Sequence, residues 1–185
     1  MKYEQIPNKA ESGFEHINID EYEHLDQSQF EEWLKNEEIP EVLLEKVRDY
    51  KNINLKNFLR NIIDKLFEVY GDKRNSADSL ADSRFTPLSE MIDRGLVSCG
   101  AMAKIFAGIL RTKKIPVKLI HGDFIDRKDV EDRHSWLEIY NPKTKTWESM
   151  DPTEHDFGFK QDKYKKIKEY HSWSEFAEDY INGDY

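Results

Sequence analysis

The sequence predicts an α+β domain in which helices come first and antiparallel strands follow. Residues 55–70 repeat apolar side chains at helical spacing. Beyond residue 115 the pattern turns to period-two alternation. A turn-forming run, Asn141-Pro142-Lys143-Thr144-Lys145, then separates two alternating stretches in the manner of a β-hairpin.

The elements follow in order. Residues 1–20 are polar and irregular and read as an arm. Residues 20–38 are strongly acidic, with Tyr22, Leu25, Phe30, Trp33 and Leu34 interspersed. They predict one or two short amphipathic helices with a solvated acidic face, and a propeptide-like cover over a cleft is a second reading. Pro40 suits the first turn of a helix reaching to about Tyr50. Leu55, Phe58, Leu59, Ile62, Ile63, Leu66, Phe67 and Tyr70 mark one face of the clearest helix, with Gly71 as its stop. Residues 72–85 read as a polar loop. Thr86-Pro87 opens a short helix that ends near Gly95.

Ser98 then caps a helix whose apolar positions are Met102, Ile105, Phe106, Ile109 and Leu110. Residues 117–121, 135–140 and 146–150 read as strands, and 172–181 as a closing helix. The chain divides into an acidic arm and helical extension over 1–50 and a main domain over 51–185, together one compact unit.

Composition narrows the function. The chain has 185 residues and a net charge of −9, from 37 acidic and 28 basic side chains. That balance disfavours nucleic acid and anionic membranes as partners. Aromatic residues at 12% argue against disorder. No stretch approaches the roughly 20 apolar residues of a membrane span, and the first residues lack the apolar core of a signal peptide. One cysteine excludes an internal disulfide and a four-cysteine zinc site, so a reducing, cytoplasmic location is expected.

That cysteine carries the chemistry. Cys99 is the first residue inside the helix capped by Ser98, where unpaired backbone N–H groups and the positive end of the helix dipole favour thiolate over thiol. His134 begins a strand 35 residues later, and Asp151 ends the next strand 17 residues after that. A hairpin turning near residue 143 makes His134 and Asp151 cross-strand neighbours. A nucleophile, a base and a carboxylate to orient the base are then all present.

The pattern Cys99-Gly100-x-x-Ala103, Leu110-Arg111, Ile115-Pro116-Val117, His121-Gly122, His134-Ser135-Trp136-x-Glu138-x-Tyr140 and Trp147-x-x-x-Asp151-Pro152-Thr153 resembles the transglutaminase-like superfamily. The resemblance covers about residues 86–153. It implies a papain-like core, with a nucleophile helix packed on a small antiparallel sheet. It also implies the roles of nucleophile for Cys99, base for His134 and orienter for Asp151. Val97 departs from a glycine common in the family. No residue clearly matches the family's Gln or Trp oxyanion donor: Trp33 and Gln29 are remote in sequence, and Asn75 and Arg84 lie nearer.

These readings predict a cysteine enzyme that acts on peptide or carboxamide bonds through a Cys99 thioester, with a protein or peptide substrate, no cofactor and no metal. Hydrolysis is favoured over cross-linking, since water is always present and no amine-binding element is recognisable. The alternative is a non-catalytic transglutaminase-like module that binds protein or peptide, and a weaker one is a helical interaction protein built on residues 20–70. His121 is the rival base, and His155 reads as a loop residue. His16, His24 and His171 read as solvated, Trp136 and Trp147 as core or cleft-wall aromatics, and Glu138 as facing solvent or a partner cation. A metal site built from His134, His155 and nearby carboxylates is a weak reading without helical H-x-x-x-H or C-x-x-C spacing. Oligomeric state is open.

Overall fold

The computed structural model describes residues 13–34, 41–70, 86–87, 90–91, 94–95, 98–125, 131–154, 156–157 and 163–182. The expectations for residues 1–12, the loop at 72–85, Gly71, Asn75, Arg84, Val97 and His155 fall outside them. The described chain begins with three 3₁₀ segments, Gly13–His16, Ile19–His24 and Gln27–Leu34. Helices α1 (Glu41–Arg48), α2 (Leu55–Tyr70) and α3 (Cys99–Thr112) follow. Strands β1 (Val117–Ile125), β2 (Glu131–Asn141), β3 (Thr146–Asp151), β4 (Asp156–Phe157) and β5 (Tyr164–Tyr170) precede a last helix, α4 (Trp173–Asn182).

Helix α2 has the bounds its periodicity predicts, and Phe58, Leu59, Ile62, Ile63 and Leu66 are buried along one face. Helix α3 differs in kind. Residues 100–111 are all buried, the signature of a helix enclosed on every side. It packs against β1 and β2 and also meets α1. Before it, Gly95 adopts φ 66°, a left-handed conformation that suits the expected helix stop.

The five strands are antiparallel neighbours in the order β4-β3-β2-β1-β5. Alternation along β2 sends Leu137 and Ile139 into the main core with Val117, Leu119, Met150 and α3. It sends Trp136 to a second cluster with Ile120, Tyr164 and the half-buried Phe124.

Strands β4 and β5 were not legible in the sequence. Strand β4 has two residues, and β5 (Tyr-Lys-Lys-Ile-Lys-Glu-Tyr) lacks clean alternation because it is an edge strand with mostly solvated lysines. Strand β2 is also longer than expected, starting at Glu131.

Residues 13–20, expected to belong to an arm, and the segment that follows them are instead part of the core. Phe14, Ile17, Ile19 and Tyr22 are buried in the same core as α3. Backbone bonds stitch this segment to the start of α2: Ile19 N donates to Ile53 O at 3.0 Å, and Leu55 N to Ile17 O at 2.7 Å. The Tyr22 hydroxyl donates to Tyr140 O at 2.6 Å, fastening it to the end of β2. Each apolar residue here is flanked by charged or polar ones, so no single helical or strand period reveals the burial.

The Gln27–Leu34 segment lies over the hairpin end of the sheet. Phe30 packs on Tyr140 with ring centroids 4.6 Å apart, and Trp33 on Trp147 at 5.5 Å. Lys118 sits between two rings, 4.7 Å from Trp33 and 4.4 Å from Trp147. Trp33 also stacks on His171 at 4.2 Å, and His171 Nδ1 lies 3.2 Å from Glu32. His171 is therefore half-buried rather than solvated, whereas His16 and His24 are exposed.

Candidate active site

The site begins with a cap. Ser98 has extended backbone angles, and its Oγ accepts from Ala101 N at 3.2 Å, satisfying an N–H that α3 cannot. This starts the helix at Cys99, as the sequence predicts, and leaves the thiol half-buried in the first turn.

His134 comes from β2 and Asp151 from the end of β3, but their register differs from the expected one. Leu137 pairs with Met150 and Asn141 with Thr146. One step further along the ladder, Asp151 faces Trp136, and His134 is its diagonal neighbour. The reason is local: Asn141 Oδ1 accepts from Lys143 N at 2.9 Å and Thr144 N at 3.3 Å. That side-chain turn shifts the hairpin centre by one residue and the pairing by two. A shift of two preserves which face each side chain occupies. A diagonal pair with long polar side chains still meets, and His134 Nε2 donates to Asp151 Oδ2 at 2.6 Å.

Asp151 is fully buried. Its Oδ1 accepts from Thr153 N at 2.9 Å and Glu154 N at 3.2 Å, so the turn after β3 holds the carboxylate. Its Oδ2 accepts from the Tyr164 hydroxyl at 2.8 Å as well as from His134. Sequence reasoning missed Tyr164, since it lies on an unpredicted strand and no local pattern ties it to residue 151.

Tyr164 reaches Asp151 only because the sheet curls. Strands β3 and β5 are separated by β2 and β1, which in a flat sheet is about 14 Å. A register irregularity between His121 and Gly122 in the β1–β5 pairing adds local twist. Gly122 makes room at that bend. A methyl group there would collide with the Lys165 carbonyl oxygen and stand 2.7 Å from the Trp136 ring.

Burial is the largest single influence on the His134 imidazole, and it pulls the ring toward its neutral form. Hydrogen bonds to Asp151 and Cys99, and the charges on both, oppose burial and prevail. The imidazolium is pushed up to about 10. Since Nε2 is held by Asp151, Nδ1 is the ring nitrogen left for the Cys99 sulfur. His134 thus binds Asp151 directly and is influenced by Cys99, and its ring also lies 5.3 Å from Phe124 and 6.1 Å from Tyr164 between centroids.

Of the other candidates, Trp136 lies beside the pair, its ring stacked on that of His134 with centroids 6.4 Å apart. His121 is buried with Nδ1 3.3 Å from Ser135 Oγ and its ring 5.3 Å from Phe176. Trp136 is buried, and Glu138 meets a cation, Lys166, at 2.9 Å. Trp33 is committed to Trp147 and His171. Among the described residues no group of His, Cys, Asp and Glu side chains could hold a metal ion, and no helix is long and apolar enough to cross a membrane.

Comparison with known proteins agrees with this architecture. The family model of the transglutaminase-like superfamily matches residues 51–152. The solved structure of a "putative cysteine protease" from Cytophaga hutchinsonii shares the fold, with a TM-score of 0.60 at 14% identity over 85% of this chain. This chain spans 54% of the length of that one. No curated protein matches the sequence.

Proposed function

Since the chain belongs to the transglutaminase-like superfamily, we propose that it hydrolyses peptide or carboxamide bonds through a thioester on Cys99. The observation that carries this reading is the His134 ring, bonded to Asp151 at 2.6 Å and close enough to Cys99 for the sulfur to help raise its ionisation. A binding module has no need of that connection.

In acylation the Cys99 sulfur attacks the carbonyl carbon, forming the S–C bond. As the tetrahedral adduct collapses, the C–N bond breaks and His134 gives its Nδ1 proton to the departing nitrogen. The products are a thioester on Cys99, a free amine or ammonia, and a neutral imidazole still oriented by Asp151.

The second half follows from the balance at His134. Part of what holds its proton is the hydrogen bond and charge of Cys99. Acylation of the sulfur removes both, while burial, which favours the neutral ring, persists. The imidazole then takes a proton from water as the water oxygen attacks the thioester carbon. The C–S bond breaks, a carboxylic acid leaves, and the thiolate–imidazolium pair is restored. A lysine-like amine in place of water gives cross-linking. Hydrolysis is favoured, because no amine-binding element is recognisable and water needs none.

The test is intact-mass analysis after incubation with a peptide library, comparing wild type with Cys99→Ala. The expected result is an acyl adduct on wild type alone, together with alkylation of Cys99 by iodoacetamide at pH 6 faster than that of a free thiol. No adduct and an ordinary alkylation rate would leave Cys99 a structural thiol and overturn the proposal.

A further inference from the structure

We propose that Tyr164 is a positioning residue of the Cys99 site, its hydroxyl sharing Asp151 Oδ2 with His134 and so setting how firmly that carboxylate holds the imidazole. This rests on the functional reading above and extends it to a strand outside the matched residues 51–152.

The geometry gives the two carboxylate oxygens different tasks. Oδ1 is occupied by two backbone N–H groups of its own turn, Thr153 and Glu154, which fix the plane of the group. Oδ2 has two side-chain donors, His134 Nε2 at 2.6 Å and Tyr164 Oη at 2.8 Å. A second donor on one oxygen draws on the same negative charge, so the hydroxyl tempers the pull of Asp151 on the ring.

Tyr164 is well placed for this. Its ring is buried, packing edge-on to Trp136 at 5.2 Å and against Phe124 at 4.9 Å. Phe124 is also its pairing partner on β1. The hydroxyl is thus carried on a ring locked by packing, and it bridges β5 to β3 across the curl. Tyr170, on the same strand, sends its hydroxyl instead to Asp179 of α4, at 2.9 Å.

The polar groups facing the His134–Asp151 pair come from separate elements. Cys99 approaches from α3 and Tyr164 from β5, and the Thr153 and Glu154 backbone follows β3. Strand β1 contributes Gly122, opposite His134, and the Phe124 ring. Along the sheet, Lys166 pairs with Glu138 at 2.9 Å and Glu169 at 2.8 Å, and Asp123 with Arg133 at 3.1 Å and Lys165 at 3.6 Å.

Removing the hydroxyl leaves Oδ2 wholly to His134, which then holds its proton to higher pH and releases it less readily to a leaving group. A role confined to packing has no such effect. The experiment is Tyr164→Phe in the full chain, with the His134 ring followed by ¹⁵N NMR from pH 7 to 11 and peptide hydrolysis measured alongside. The expected result is an upward move of the His134 ionisation by roughly half a pH unit. Turnover should fall on the order of fivefold with KM within twofold, because the change acts on proton transfer rather than on substrate contact. Tyr170→Phe, which removes a hydroxyl of the same strand that is bonded to Asp179, should leave the ionisation in place.

If Tyr164→Phe does not fold, 3-fluorotyrosine at position 164, a more acidic donor of nearly the same shape, should move the ionisation downward. An ionisation that stays in place or moves in the opposite direction overturns the proposal. The NMR result stands apart from activity. A wild type without hydrolysis or thioester defeats the functional reading, while the titration still decides the role of Tyr164.

Discussion

Asp151→Asn is the sharpest test of the site, because it alters one atom of a fully buried side chain. The amide oxygen can still accept from Thr153 N and Glu154 N. The amide NH₂ then takes the place of Oδ2, facing two donors, His134 Nε2–H and the Tyr164 hydroxyl, where an acceptor stood at 2.6 and 2.8 Å. His134 resolves its half of the conflict by giving up its Nε2 proton and keeping the one on Nδ1, which leaves a neutral ring.

The size of the effect follows from the forces on that ring. In the wild type, burial is outweighed by Asp151 and Cys99, and the imidazolium persists to about 10. The sign is that of a raised ionisation: the charged form is complete well below that pH and is lost as pH rises through it. Without the carboxylate, burial is opposed by Cys99 alone, and the ionisation moves down toward the ordinary histidine value of about 6.5. At pH 7.5 a full return to that value takes the imidazolium fraction from nearly all to about a tenth. Loss of the fixed ring orientation adds to this, so acylation should slow by roughly 10² to 10⁴. Two charge-assisted bonds are lost or inverted in a buried place, so unfolding free energy should drop by about 2–4 kcal/mol. Single-turnover acylation at pH 7.5 and urea unfolding measure the two effects separately. A variant retaining more than a tenth of wild-type acylation, in a protein shown to be folded, would refute the argument that the Asp151–His134 bond controls the proton.

Other expectations follow from the same geometry. Acylation in the wild type should lose rate as pH rises through about 10, since His134 then has no proton for the leaving nitrogen, whereas iodoacetamide alkylation of Cys99 should not fall there; stopped-flow profiles of both reactions from pH 7 to 11 decide it. Gly122→Ala places a methyl against the Lys165 carbonyl and the Trp136 ring, so it should cost about 1–3 kcal/mol and reduce turnover by opening the curl, as thermal melts and kinetics would show. Trp33→Ala removes a ring packed on Trp147, His171 and the Lys118 ammonium; it should cost about 3–5 kcal/mol yet leave activity per folded molecule near wild type, and a hundredfold loss of activity would show instead that the Gln27–Leu34 segment serves the site.

What could be read from the chain is what depends on neighbours close in sequence. The bounds of α2 follow from its periodicity, and the start of α3 from a serine that caps its own third following residue. The hairpin loop follows from turn residues at 142–145. His134 and Asp151 were placed on a common face because the side-chain period of a strand is two, so even a mistaken register, wrong by two, kept them together.

What the tertiary structure decided is what depends on residues far apart. Phe14, Ile17 and Tyr22 join the core because α2 and β2 offer them backbone and side-chain partners, which no local pattern announces. Tyr164 meets Asp151 although β3 and β5 are not neighbours in the sheet, and Gly122 leaves room for the Lys165 carbonyl and the Trp136 ring between them. The sequence by itself therefore singled out Cys99, His134 and Asp151 as candidates, each marked by its own local setting. Only the folded chain decided what holds the carboxylate, because a hydrogen bond across a curled sheet is a property of distance in space and leaves no period along the chain.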